Sequence, residues 1–87
     1  MSLTEQLQAD MKTAMRDGDA HRRDTLRMVI AAAQNAAKEK REALTDEEAL
    51  AVLTKQVKTR RESIKAFRDA GRDDLADKEQ VEIDVLV

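Results

Sequence analysis

Residues Leu44 to Leu75 read "LTDEEALAVLTKQVKTRRESIKAFRDAGRDDL", and the folding of this stretch decides the rest of the chain. Thr45 followed three residues later by Glu48 is a capping box: hydroxyl and carboxylate satisfy backbone N–H groups that the first helical turn leaves free. Asp46, Glu47 and Glu48 also put negative charge at the positive end of the helix dipole. Leu50, Leu53, Val57, Ile64 and Phe67 then form an apolar face at helical spacing. Gly71 supplies the positive φ at which a helix stops cheaply. The pattern predicts a helix over 46–70. Asp73 or Asp74 opens another, over 74–87, with Leu75, Ile83 and Leu86 on one side and Val81 and Val85 nearby.

The same signals recur toward the N-terminus. Ser2 with Glu5 fits a capping box. Leu3, Leu7, Met11, Ala14 and Met15 recur on one side, the two methionines as core filler, and Gly18 follows as a stop. This predicts a helix over 3–17. Asp19 is a candidate N-cap for the next helix, over 20–41, whose Leu26, Val29, Ile30, Ala33 and Ala37 share one face. The run "AAAQNAA" (31–37) keeps a flank small enough for another helix to approach. Proline is absent and glycine occurs twice, so few residues interrupt helices. The expectation is an all-α fold: one domain over 1–87, a small four-helix module built on a long antiparallel hairpin of the second and third helices. The first and fourth would cover that hairpin.

Composition excludes several function classes. With no cysteine there is no disulfide framework and no thiol chemistry, and a single histidine disfavours zinc. No apolar run approaches the ~20 residues that cross a bilayer. The N-terminal "MSLTEQLQAD" has acidic residues and no long apolar core, unlike a secretion signal. On these grounds we expect a cytoplasmic protein with no membrane partner. The C-terminal "VEIDVLV" lacks glycine, asparagine or a basic last turn. Such an apolar end reads as a fragment's edge, or as a surface for a partner or a second copy of the chain.

The net charge of −2 conceals a segregation of charge. Residues 55–72 hold seven basic and two acidic side chains, +5, whereas 73–87 hold six acidic and one basic, −5. Lys58, Arg61, Lys65, Arg68 and Arg72 follow 3, 4, 3, 4 spacing, a stripe about 80° wide beside the apolar face. Such a row can track phosphates with a salt-sensitive grip. It can equally cover apolar surface with its stems, or pair with the acidic helix that follows. Arg60 falls within the apolar face and must be paired or reach past its rim. His21, in the first turn of its helix, has no neighbour arranged for catalysis and reads as a surface histidine. Asp73, Asp74 and Asp77 lack calcium-loop spacing and read as caps. We assign no catalytic residue, no metal ligand and no cofactor.

Beyond composition, three stretches resemble the YqeY (GatB/YqeY-like) family. They are "LQADMKTAMRDGDAHRRDTLRMVIAAAQN" (Leu7–Asn35), "LTDEEALAVL" (Leu44–Leu53) and "RRESIKAFRDAGRDDLADKEQVEIDVL" (Arg60–Leu86), of which "ESIKAFRDAGRDDL" is the most specific. The resemblance implies an all-helical N-terminal region, normally followed by a "YLP-x-QL"-like stretch and a second helical region that this sequence lacks. That second region is related to the tail of the B subunit of the glutamine-dependent tRNA amidotransferase. Similar modules are attached to glutaminyl-tRNA synthetases, where they aid tRNA binding. The family label therefore reads carbon–nitrogen ligase with glutamine as amido donor, although no residue here is placed for that reaction. The resemblance implies a non-catalytic tRNA-binding accessory, with Lys58, Arg61, Lys65, Arg68 and Arg72 as backbone-phosphate contacts. The alternatives are a module that docks an amidotransferase or an aminoacyl-tRNA synthetase, and a component of the ligase activity itself.

Overall fold

Four helices follow one another; side chains cap the starts of the first three, but Arg72 holds the cap position of the fourth without a side-chain hydrogen bond, so neither Asp73 nor Asp74 caps it and both lie in its first turn. A computed structural model describes residues 2–87. The helices are α1 (Leu3–Arg16), α2 (Ala20–Lys40), α3 (Asp46–Asp69) and α4 (Asp73–Leu86). At the start of α3, Thr45 Oγ1 accepts from the Glu48 amide at 3.2 Å and Glu48 Oε1 accepts from the Thr45 amide at 3.0 Å. Asp19 caps α2 through the Arg22 amide. Ser2 caps α1 through the Glu5 amide, but Glu5 takes the Ser2 hydroxyl proton and not a backbone one.

Helices α1, α2 and α3 all end in the same hydrogen-bonded turn. In each, a residue just past the helix takes positive φ (the cap itself in α2, the residue after the cap in α1 and α3), and the next amide reaches back five residues: Asp19 to Ala14 O, Glu42 to Ala37 O, Arg72 to Phe67 O. Gly18 (φ 71°) and Gly71 (φ 74°) occupy two of these positions, but Arg41 (φ 64°) occupies the third. A side chain there costs roughly 1–2 kcal/mol. The helix pattern in the sequence also ends at about this residue, although no glycine marks it.

The core lies on α2, between α1 and the N-terminal half of α3, with the C-terminal end of α4 packed onto it. Leu7, Leu26, Val29 and Ile30 are buried together, with Met11, Leu53, Val85 and Leu86 packed against them. The most extensive packing is between α3 and α4, then between α1 and α2, and the α2–α3 pair touches less. The hairpin partners expected to form the centre thus sit more loosely than the helices expected to cover them. Ala76, with no exposed surface, lets α4 come close to its neighbours. Two residues expected on apolar faces turn outward, Met15 and Leu50 at 53% exposure each, as does Val81 at 48%, which the sequence set only beside such a face. Met15 is therefore not core filler.

Polar ties between helices help to set their register. The Asp46 carboxylate accepts from the Leu3 amide at 3.0 Å, joining the starts of α1 and α3. Between α3 and α4, Arg60 Nε donates to Glu82 Oε1 at 3.1 Å. Both side chains are 8% exposed. Arg60 Nη1 also donates to the Gln56 carbonyl and to its side-chain oxygen. Of the two expectations for Arg60, pairing holds.

The molecule is flat, with extents of 42 × 30 × 17 Å. Its radius of gyration is 13.9 Å, against about 12 Å for a compact chain of this length. Its accessible surface is 5937 Å², against roughly 5,200 Å² for a compact protein of this mass.

Two predictions follow from these contacts. Arg60→Met strands a buried carboxylate and should cost about 3–5 kcal/mol, whereas Arg60→Met/Glu82→Leu should return most of that loss; urea denaturation of both reads the difference. The second concerns pH. The Lys40 ammonium and the Thr45 amide and hydroxyl hold the Glu48 carboxyl down at about 2. A carboxyl depressed on folding stabilises above its ordinary value and loses that contribution as pH falls toward the folded value. The Tm difference between wild type and Glu48→Gln should be full above about pH 5 and shrink toward pH 2.

Candidate nucleic-acid interface

Lys58, Arg61, Lys65 and Arg68 share one exposed face of α3. Their spacing of three and four residues stacks them on successive turns, with about 10 Å of axial rise from Lys58 to Lys65. Arg72 does not continue the row. Helix α3 ends at Asp69, Gly71 reverses the backbone, and Arg72 occupies the cap position of α4. A stripe of five is therefore a row of four, followed by one arginine redirected by a turn.

The acidic start of α4 takes up the C-terminal end of this row. Arg68 lies 3.4 Å from Asp77 Oδ1 and 3.8 Å from Asp73 Oδ1. Arg72 donates from Nε and Nη2 to the two oxygens of Asp74, each at 3.2 Å. That guanidinium holds the Asp74 carboxyl below its ordinary value. Lys58, Arg61 and Lys65 have no carboxylate at ion-pairing distance among the described residues. The pairing read as one alternative in the sequence therefore applies to two of the five. The surface pairs of Arg68 and Arg72 are exposed, so water and salt weaken them and a phosphate can compete.

Beside the row lies a shallow open groove of about 600 Å³, lined by Glu47, Leu50, Ala51, Thr54, Lys55 and Lys58. Its apolar floor comes from Leu50, which sequence periodicity had placed in the core. Phe67, also expected in the core, is half-buried. His21 is exposed, and Asp73, Asp74 and Asp77 are engaged by arginines. Among the described residues no three His, Asp or Glu side chains are close enough to hold a metal ion. At the C-terminal end, Val85 and Leu86 pack on the chain's own core, leaving Val87 79% exposed.

A match to the family described as Yqey-like protein extends over residues 4–87. The chain belongs to the YqeY-like family. Among similar proteins is the altered inheritance of mitochondria protein 41, mitochondrial, of Pyrenophora tritici-repentis, 41% identical over 80 residues. The protein of the same name from Eremothecium gossypii is 38% identical over 81 residues. Each match covers 92% of this chain and 44% of the relative. An uncharacterised protein of Schizosaccharomyces pombe is 39% identical over 62 residues, 71% of this chain and 50% of that one. This YqeY-family chain thus spans about half, or less, of the relatives it matches.

These relatives overturn the expectation of a cytoplasmic protein, since two of them are named as mitochondrial. The physical reason is plain. That expectation excluded a membrane span and a secretion signal, and neither exclusion chooses among compartments. Among the described residues no helix is long and apolar enough to cross a membrane.

The turn at Gly71 ends the basic row and aims α4 at α3, so it can be tested directly. A Cβ there meets no atom within 4 Å, but the φ of 74° is strained for any side chain. Gly71→Ala should lower stability by roughly 1–2 kcal/mol, read as a shift in urea midpoint at unchanged m-value.

Proposed function

We propose that this YqeY-family chain is a non-catalytic helical module that grips the phosphate backbone of tRNA through Lys58, Arg61 and Lys65. One observation carries the reading: three cations on successive turns of α3 are exposed and free of ion-pairing carboxylates. Arg68 joins them when a phosphate displaces Asp73 and Asp77, while Arg72 stays with Asp74. Phosphate contacts of this kind fix position without reading bases. Recognition then rests on the shape and charge of the RNA.

Docking of an amidotransferase or an aminoacyl-tRNA synthetase at the C-terminal end is the second reading. Val81 and Val87 favour it by their exposure. The packing of Val85 and Leu86 on the core leaves a smaller surface than the sequence suggested. A role as a component of the ligase activity finds no nucleophile and base brought together among the described residues, so the phosphate reading is preferred.

The test is fluorescence anisotropy of labelled tRNA across a salt series. With three phosphate contacts, log K should fall with log salt at a slope of about 2–3, so affinity drops roughly 15- to 60-fold between 50 and 200 mM. Lys58→Gln/Arg61→Gln/Lys65→Gln should abolish most of this. Lys12→Gln/Arg22→Gln/Lys38→Gln removes equal charge elsewhere and should change it little. Absence of binding at low salt, or equal losses in both triple variants, removes the proposal.

A further inference from the structure

The two terminal nitrogens of the Arg68 guanidinium are held by two different carboxylates of α4. Nη1 lies 3.8 Å from Asp73 Oδ1, and Nη2 lies 3.4 Å from Asp77 Oδ1. The two aspartates stand about one turn apart on α4 and bracket a single arginine of α3. The local needs of α4 account for only one of them. Its dipole favours Asp73, in the first turn, but that effect fades before Asp77, the fifth residue. Both contacts are longer than the about 2.7–2.9 Å of a close charge-assisted pair. The side chains also stay in reach of solvent, Arg68 at 48% exposure, Asp73 at 74% and Asp77 at 71%. Arg72 is held differently, by both oxygens of Asp74 two residues away.

We propose that Asp73 and Asp77 form an autoinhibitory contact on the basic row, an internal counter-ligand that a phosphate backbone must displace before Arg68 can grip it. This deepens the tRNA reading and rests on it. A phosphate that forks a guanidinium uses Nη2 whether it approaches end-on or side-on, and Asp77 already lies on that nitrogen. Phosphate and aspartates therefore oppose each other at one cation. Exposed pairs of this kind are weak and can be exchanged. A backbone already held by Lys65, three residues before Arg68 on α3, delivers its next phosphate at high effective concentration. Lys58, Arg61 and Lys65 thus engage first, and the aspartates set how readily the fourth cation follows.

A double-mutant cycle on tRNA binding tests this, read by fluorescence anisotropy from about 50 mM salt upward, where surface charges are least screened at the start. Asp73→Asn/Asp77→Asn should tighten binding roughly 2- to 10-fold. It should also steepen the salt slope by about 0.7–0.9, the signature of one further phosphate contact. In an Arg68→Gln background the same two changes should shift affinity less than about twofold. Asp10→Asn/Asp17→Asn removes equal charge from the region of α1 and should do as little. Urea denaturation and circular dichroism check each fold. Asp77→Asn alone leaves the first turn of α4 intact and should show part of the gain.

Equal gains with and without Arg68 overturn the proposal, because the aspartates would then act only by general repulsion. An unchanged affinity and slope in Asp73→Asn/Asp77→Asn overturns it too. If Lys58→Gln/Arg61→Gln/Lys65→Gln loses binding in that same experiment, the tRNA reading stands while the autoinhibitory contact falls. Absence of binding by wild type and by Asp73→Asn/Asp77→Asn alike removes both.

Discussion

The Arg60–Glu82 pair is the contact on which the arrangement of α3 and α4 depends. Neither charge could remain buried alone, because desolvation costs several kcal/mol per ion. Glu82 must therefore face Arg60, and this selects one rotation and one height of α4 on α3. Ala76 and Ile83 then point into the same interface. Val85 and Leu86, one turn further on, reach the cluster of Leu26, Val29 and Ile30. Gln56 supplies two further acceptors to the guanidinium, so the pair sits in a satisfied network, which buried ions require.

The flat shape follows from what the core contains. Of the fully buried side chains, Val29 and Thr25 are the largest, and Thr25 satisfies its hydroxyl by donating to the His21 carbonyl. Alanines at 33, 49 and 76 fill much of the remaining interior. Small residues bring helices close but enclose little volume, so several large apolar side chains have no interior to enter. Leu50, Met28 and Val81 remain on the surface for this reason.

Charge is distributed to the same effect. One basic and one acidic residue cancel in the interior, and the start of α4 takes Arg68 and Arg72. What reaches solvent unpaired is a shorter basic row and a more dispersed acidic helix than the linear charge count implied. Under the proposed function, a phosphate approaching α3 would meet Lys58, Arg61 and Lys65 first. It competes with the protein's own aspartates only at the C-terminal end of that row.

Much of the local structure was legible because helix ends are chemistry between near neighbours. Thr45 with Glu48, Asp19, Gly18 and Gly71 each act within a few residues of themselves, and their effects could be read directly. The αL turn at Arg41 was not legible, since no glycine marks it and the Glu42–Ala37 hydrogen bond forms only once α2 has ended. The basic row was visible as spacing, but its truncation was not. Helical periodicity carries Arg72 on past Gly71, whereas the backbone turns there.

By itself, then, the sequence determined the four helices, the caps of the first three and the positions of the cations along α3, because all of these depend on residues within about one turn of each other. Only the tertiary structure decided that Arg60 meets Glu82 across 22 residues, that Leu50 faces water and that Arg68 is partnered while Lys58 is not. Those outcomes depend on how far apart whole helices lie and how they are rotated, which no pattern along one helix contains.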